Sequence, residues 1–123
     1  MLKRILIVED ESDIIFTLKI ILEQNGFVIN SFTDPLLALS NFKPHLYDIL
    51  LIDIKLPGIN GFELYREIRK IDDEVKICFL TASEINYEEL KKAVFPSQRD
   101  GKCFIRKPVE NEALLMHLNK MLE

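Results

Sequence analysis

Five short apolar runs alternate with stretches of helical periodicity along this chain, and that alternation limits the possible folds more than any other feature. The first run, Arg4-Ile-Leu-Ile-Val8, is continuously apolar, as a strand buried on both faces requires. Phe27-Val-Ile-Asn-Ser31, Ile49-Leu-Leu-Ile52, Val75 to Leu80 and Cys103 to Arg106 supply the other four strands. Between the first two, Ile14, Ile15, Leu18, Ile21 and Leu22 fall on one helical face. Asn25-Gly26 closes that helix, glycine taking the left-handed position. Asp34-Pro35 reads as an N-cap followed by proline at the first helical position, opening a short helix with Leu36, Leu37, Leu39 and Phe42 that stops before Pro44. A loop of turn formers, Pro57, Gly58 and Asn60-Gly61, leads to a helix from about Gly61 to Ile71. Tyr87 to Phe95 predicts a fourth helical stretch, and a last helix runs from about Val109 to Leu122. Strict alternation with short connections implies an α/β fold: one (βα)5 domain over residues 1–123, a doubly wound parallel five-stranded sheet with helices on both faces.

In such a sheet the carboxyl ends of the strands form the ligand crevice. Glu9-Asp10 follows the first strand, Asp53 ends the third, Thr81 ends the fourth and Lys107 ends the fifth. Each alone has an ordinary structural explanation. All four at one sheet edge make a site.

Three carboxylates close together repel, two unit charges about 4 Å apart by roughly 4 kcal/mol at an effective dielectric near 20. A hard divalent cation relieves this, and Mg²⁺ (or Mn²⁺) accepts one or two carboxylates while keeping several waters. Magnesium also suits phosphoryl transfer. Lys107 supplies a compact positive charge and Thr81 a hydroxyl donor. Asp53 closes the most apolar strand and is the candidate nucleophile, since a carboxylate can form an acyl phosphate.

Charge argues against a nucleic-acid surface. The net charge is −4, and the 16 basic residues are scattered, their tightest cluster being Arg66, Arg69 and Lys70. Phosphate binding needs a basic face. The apolar run after Lys3 and Arg4 is too short for a secretory signal, which needs roughly 7–15 residues. No stretch approaches the roughly 20 apolar residues of a membrane span, so a cytoplasmic location is expected. His45 and His117 lack ligand-spaced partners and read as solvated or structural. Cys78 and Cys103 differ in parity counted from the ends of their runs, which puts them on opposite sheet faces as buried free thiols, not a disulfide.

Four motifs in strand-end context carry a family resemblance: Ile5-Leu-Ile-Val-Glu-Asp-Glu11, Leu50-Leu-Ile-Asp-Ile-Lys-Leu-Pro-Gly58, Leu80-Thr-Ala-Ser83 and Phe104-Ile-Arg-Lys-Pro108. The chain resembles the receiver domains of two-component response regulators, including the chemotaxis type, over essentially its whole length. The resemblance implies a flavodoxin-like sheet of strand order 2-1-3-4-5. It implies that Asp53 is the phosphoacceptor, receiving phosphoryl from a sensor histidine kinase or histidine phosphotransfer protein. Asp10, Asp53 and the backbone carbonyl of Lys55 would bind the metal, with Glu9 orienting it through water. Thr81 and Lys107 would contact the phosphoryl group. Thr81 and Phe104 would form the switch, and Lys107-Pro108 would be a cis peptide.

Lys55 and Ser83 would flank the path of the attacking water and tune phosphoryl lifetime. Lys55→Ala is accordingly expected to change the dephosphorylation half-life, read by following the decay of phosphorylated protein. The family signals through the helix before the fifth strand, that strand and the last helix. The stretch Phe95-Pro-Ser-Gln-Arg-Asp-Gly-Lys-Cys-Phe104 departs from the Gly-Ala pattern usual there.

The implied function is a signalling switch that catalyses only its own phosphorylation and dephosphorylation, acting as a monomer or phosphorylation-dependent dimer on a downstream protein. An aspartyl-phosphate phosphatase of the haloacid-dehalogenase type would want a second acid two residues after Asp53, where this chain has Lys55. A flavodoxin-like cofactor binder would want a Ser/Thr/Gly-rich loop after the first strand, where Glu9 to Glu11 stand. The chain could also be the receiver half of a DNA-binding transcription regulator.

Overall fold

The computed structural model describes residues 2–82 and 103–123. Its elements run β1 (Arg4–Val8), α1 (Ser12–Gln24), β2 (Val28–Phe32), α2 (Pro35–Asn41), β3 (Ile49–Asp53), α3 (Gly61–Ile71), β4 (Lys76–Thr81), β5 (Phe104–Arg106) and α4 (Asn111–Met121). The sheet is parallel throughout in the order β2-β1-β3-β4-β5. The helical stretch expected over Tyr87 to Phe95 lies outside the described residues, as does Ser83.

Both faces of the sheet are covered, which is why the strands are apolar without alternation. On one face Leu6, Val8, Leu50, Ile52 and Phe79 meet Ala38 of α2 and Leu64 and Ile68 of α3. On the other, Ile5, Ile7, Ile49, Leu51 and Leu80 meet Leu18 and Leu22 of α1 and Leu114 and Leu118 of α4. Every residue from Ile49 to Ile52 is fully buried. Each such side chain contributes about 1.5–3 kcal/mol, so the central strand is the most firmly held.

Helix starts follow their caps. Asp34 accepts from the Leu36 N–H at 2.9 Å, with Pro35 opening α2. That start turns Pro35 and Ala38 toward the sheet and leaves Leu36 and Leu37 more than half exposed. Asn60 and Glu63 form a reciprocal capping box on α3.

A second fastening joins the turns at the amino ends of β3 and β4. The buried Asp72 carboxylate accepts from the backbone N–H groups of His45 and Glu74, each at 2.9 Å, and Val75 at 3.2 Å. His45 sits at φ 65°, and its N–H is part of this turn closure. Burial alone would raise the Asp72 pKa, but these three donors and the nearby His45 outweigh it and hold the group below its usual value. Its contribution is therefore complete above the ordinary aspartate range and is lost as pH falls through the lowered value. Asp72→Ala, which strands three donors, is expected to cost about 2–3 kcal/mol near neutral pH. Denaturant titrations of both proteins should show that gap narrowing below about pH 4.

The cysteines overturn the expectation of free thiols on opposite faces. Cys78 and Cys103 form a disulfide, their Cα atoms 4.7 Å apart. Parity counted from a strand ending at Leu80 is off by one, because β4 runs on to Thr81, which pairs with Arg106. With Phe79 opposite Phe104, the two cysteines stand side by side on the face covered by α1 and α4. Among the described residues no helix is long and apolar enough to cross a membrane.

Candidate functional site

Register brings the strand ends into one layer. Val8 pairs with Ile52, Asp53 with Leu80, and Thr81 with Arg106. The next residues, Glu9 after β1 and Lys107 after β5, are held by the backbone: the Glu9 N–H donates to Phe32 O at 3.1 Å and the Lys107 N–H to Thr81 O at 2.9 Å. Residues 98 apart in sequence thus meet. The Lys107 Nζ donates to Asp53 Oδ2 at 2.9 Å and to Glu9 Oε1 at 3.0 Å.

This bridge is buried. Glu9 is fully inaccessible, and Asp53 and Thr81 nearly so. Burial is the main cause that pushes the Glu9 pKa up to about 7, and its hydrogen bond and repulsion with Asp53 push the same way, against the attraction of Lys107. Burial works against the Lys107 ammonium, yet its hydrogen bonds to Asp53 and Glu9, together with their charge, hold its pKa above the usual lysine value. Among the described residues, the site carries more negative charge than the Lys107 ammonium balances.

Carboxylate oxygens of Glu9, Asp10 and Asp53 lie within 4.8 Å of one another. Glu9 Oε2 is buried with no hydrogen-bond partner among the described residues, a costly arrangement that a cation or its water would relieve. Asp10 is exposed at the rim. Hard oxygen donors, one orphaned buried oxygen and an open side fit Mg²⁺, which keeps part of its water shell.

The Lys55 N–H donates to Asp53 Oδ1 at 3.3 Å, so both carboxylate oxygens of Asp53 are oriented. Phe104 stacks on Phe79 with centroids 5.5 Å apart, and Lys107-Pro108 is cis. Glu9, Asp10, Asp53 and Lys107 are brought together, and Thr81 ends β4 beside Asp53 in the same layer of the sheet. Sequence reasoning missed Gly61, read there only as a turn former. A Cβ at Gly61 would overlap the Asp53 carbonyl oxygen and come within 2.9 Å of Ile54 Cα. The bare backbone lets α3 start against β3, its N–H donating to Ile54 O at 2.8 Å. Asn60-Gly61 hinted at a turn, but the contact depends on a strand eight residues earlier. Gly61→Ala is expected to cost about 2–3 kcal/mol by forcing α3 away from β3, measurable as a lowered denaturation midpoint.

The model of the response regulator receiver domain matches residues 5–119. The chain belongs to the response regulator receiver family. This receiver is 31% identical to the chemotaxis protein CheY of Bacillus subtilis over 99% of both chains. It is 32% identical to the regulatory protein VanRB of Enterococcus faecalis over 97% of this chain and 52% of that protein. Several curated relatives are thus about twice as long as the stretch it matches. Among solved structures, the non-phosphorylated HemR receiver domain from Leptospira biflexa superposes with a TM-score of 0.85 at 30% identity, over 98% of this chain and 94% of that one. A CheY-like receiver domain from Methanospirillum hungatei gives 0.82 at 28% identity, over 99% and 94%.

Proposed function

We propose that this receiver is a signalling switch in which Asp53 accepts a phosphoryl group from the phosphohistidine of a histidine kinase or phosphotransfer protein. One observation carries the reading: the Lys107 ammonium bridges Asp53 and Glu9 beside Asp10, in a buried layer at the carboxyl edge of the sheet. The Asp53 oxygen would attack phosphorus as the phosphorus–nitrogen bond to histidine breaks, its electron pair staying on the ring nitrogen, so that a donor ring protonated at its other nitrogen departs as neutral imidazole. Asp10, Asp53 and the Lys55 carbonyl would hold Mg²⁺, with Glu9 oriented toward it through water. The metal would offset charge on the phosphoryl oxygens.

Lys107 would shift its contact from the Asp53 carboxylate to a phosphoryl oxygen, and the Thr81 hydroxyl would donate to another. Thr81 and Phe104 lie on adjacent strands, so movement of the first would let the second repack and alter the surface of β5 and α4. Beyond its own phosphorylation and dephosphorylation, the chain would catalyse nothing.

Incubation with acetyl phosphate and Mg²⁺ tests this by intact mass. One phosphoryl group should be gained, mapped to Asp53 and prevented by a chelator. Unchanged mass, or a modification elsewhere, would sink the assignment.

A further inference from the structure

We infer that the Cys78–Cys103 bond is a reversible redox tether restraining the β4–β5 end of the site, an inference that rests on the reading of Asp53 above. β5 has three residues and, among the described residues, lies at the edge of the sheet, paired with β4. A short edge strand opens more readily than the buried central ones. Yet its two ends flank the switch: Cys103 precedes Phe104, and Lys107 follows Arg106. The disulfide fastens β5 to β4 on the face under α1 and α4, while the Phe79–Phe104 stack, one residue further along each strand, fastens the opposite face. Breaking the covalent fastening removes the disulfide link between the two strands and leaves β5 to noncovalent contacts, among them the ring stack, the three-residue ladder and the burial of Ile105.

Reversibility follows from position. The 4.7 Å between the cysteine Cα atoms is the ordinary spacing of neighbouring strands, so dithiol and disulfide fit the same backbone. A small-molecule disulfide such as oxidised glutathione supplies the oxidant. The thiolate of Cys103, the more accessible of the two, attacks one glutathione sulfur, and the sulfur–sulfur bond breaks to release one glutathione thiolate. The Cys78 thiolate then attacks Cys103 Sγ and expels the second. Two cysteine thiols lose two electrons and two protons, and one glutathione disulfide becomes two thiols. The bonded state holds Phe104 and Lys107 near their resting places, so phosphorylation drives a smaller change in oxidised protein.

The full chain is equilibrated across ratios of reduced to oxidised glutathione, trapped with a maleimide and weighed. Amide exchange of Ile105 and Arg106, and the change it undergoes with acetyl phosphate and Mg²⁺, are then measured in both states and in the Cys78→Ala/Cys103→Ala variant. A reversible transition is expected, with exchange at β5 on the order of tenfold faster after reduction. Tm should fall by about 10 °C, since a bond between residues 25 apart restricts the unfolded chain. The phosphoryl-driven exchange change should be larger in reduced protein, and the double variant should match the reduced state under every condition. Free thiols at every glutathione ratio, or equal exchange in both states, would overturn the tether. If neither state takes up phosphoryl, the Asp53 reading falls and the coupling with it, while trapping and exchange still decide the tether. If both take it up and respond alike, the coupling alone falls.

Discussion

Asp53→Asn is expected to abolish phosphoryl uptake from acetyl phosphate, a loss on the order of a hundredfold or more, because an amide oxygen is not a competent nucleophile. The substitution is nearly isosteric, and its remaining oxygen can still accept from the Lys55 N–H or from Lys107. Stability should stay close to that of the wild type. One of three converging carboxylates is removed, while Lys107 keeps its 3.0 Å bond to Glu9. Intact mass after acetyl phosphate treatment and a denaturant titration on the same preparation separate lost chemistry from lost fold. Uptake equal to wild type would place the phosphoacceptor elsewhere.

Lys107→Met has the largest expected effect on stability. The methionine fills similar volume but strands two carboxylates, one fully buried and the other nearly so, that now share one ammonium. Removing one member of a buried ion pair typically costs about 3–5 kcal/mol. Proton uptake by Glu9, whose pKa already stands at about 7, relieves part of this. A net loss of about 2–4 kcal/mol near neutral pH without divalent cations is therefore expected. Saturating Mg²⁺ should recover much of it if, as proposed, the cation binds the folded cluster and not the unfolded chain. Denaturant midpoints of both proteins with and without Mg²⁺ check this. An unchanged midpoint without Mg²⁺ would mean that the bridge contributes nothing. On the proposed function, phosphoryl uptake should also fall by about tenfold or more, since the preorganised charge that would face the phosphoryl oxygens is gone.

The legible parts of this chain are those set by local periodicity and capping. Apolar runs marked all five strands, because a sheet covered on both faces needs side chains that suit either side. Asp34-Pro35 marked the start of α2, because a helix end needs a nearby acceptor, whereas Asn60, read only as a turn former, proved to cap α3. Glu9, Asp10, Asp53, Thr81 and Lys107 were legible as strand-end residues, because parallel strands point their carboxyl ends the same way. The cysteine pairing was misread because parity depends on where a strand stops, and strand ends are set by pairing partners more than by local sequence.

Sequence by itself determined the α/β alternation, the family, and which five polar residues share the carboxyl edge. Only the tertiary structure decided that Lys107 bonds both Glu9 and Asp53, that Gly61 must be bare for α3 to start against the Asp53 carbonyl, and that Cys78 and Cys103 are neighbours. Such contacts arise between residues remote in the chain, and their distances follow from strand register and helix placement. Local periodicity says which way a side chain faces. Only the assembled sheet says what it meets there.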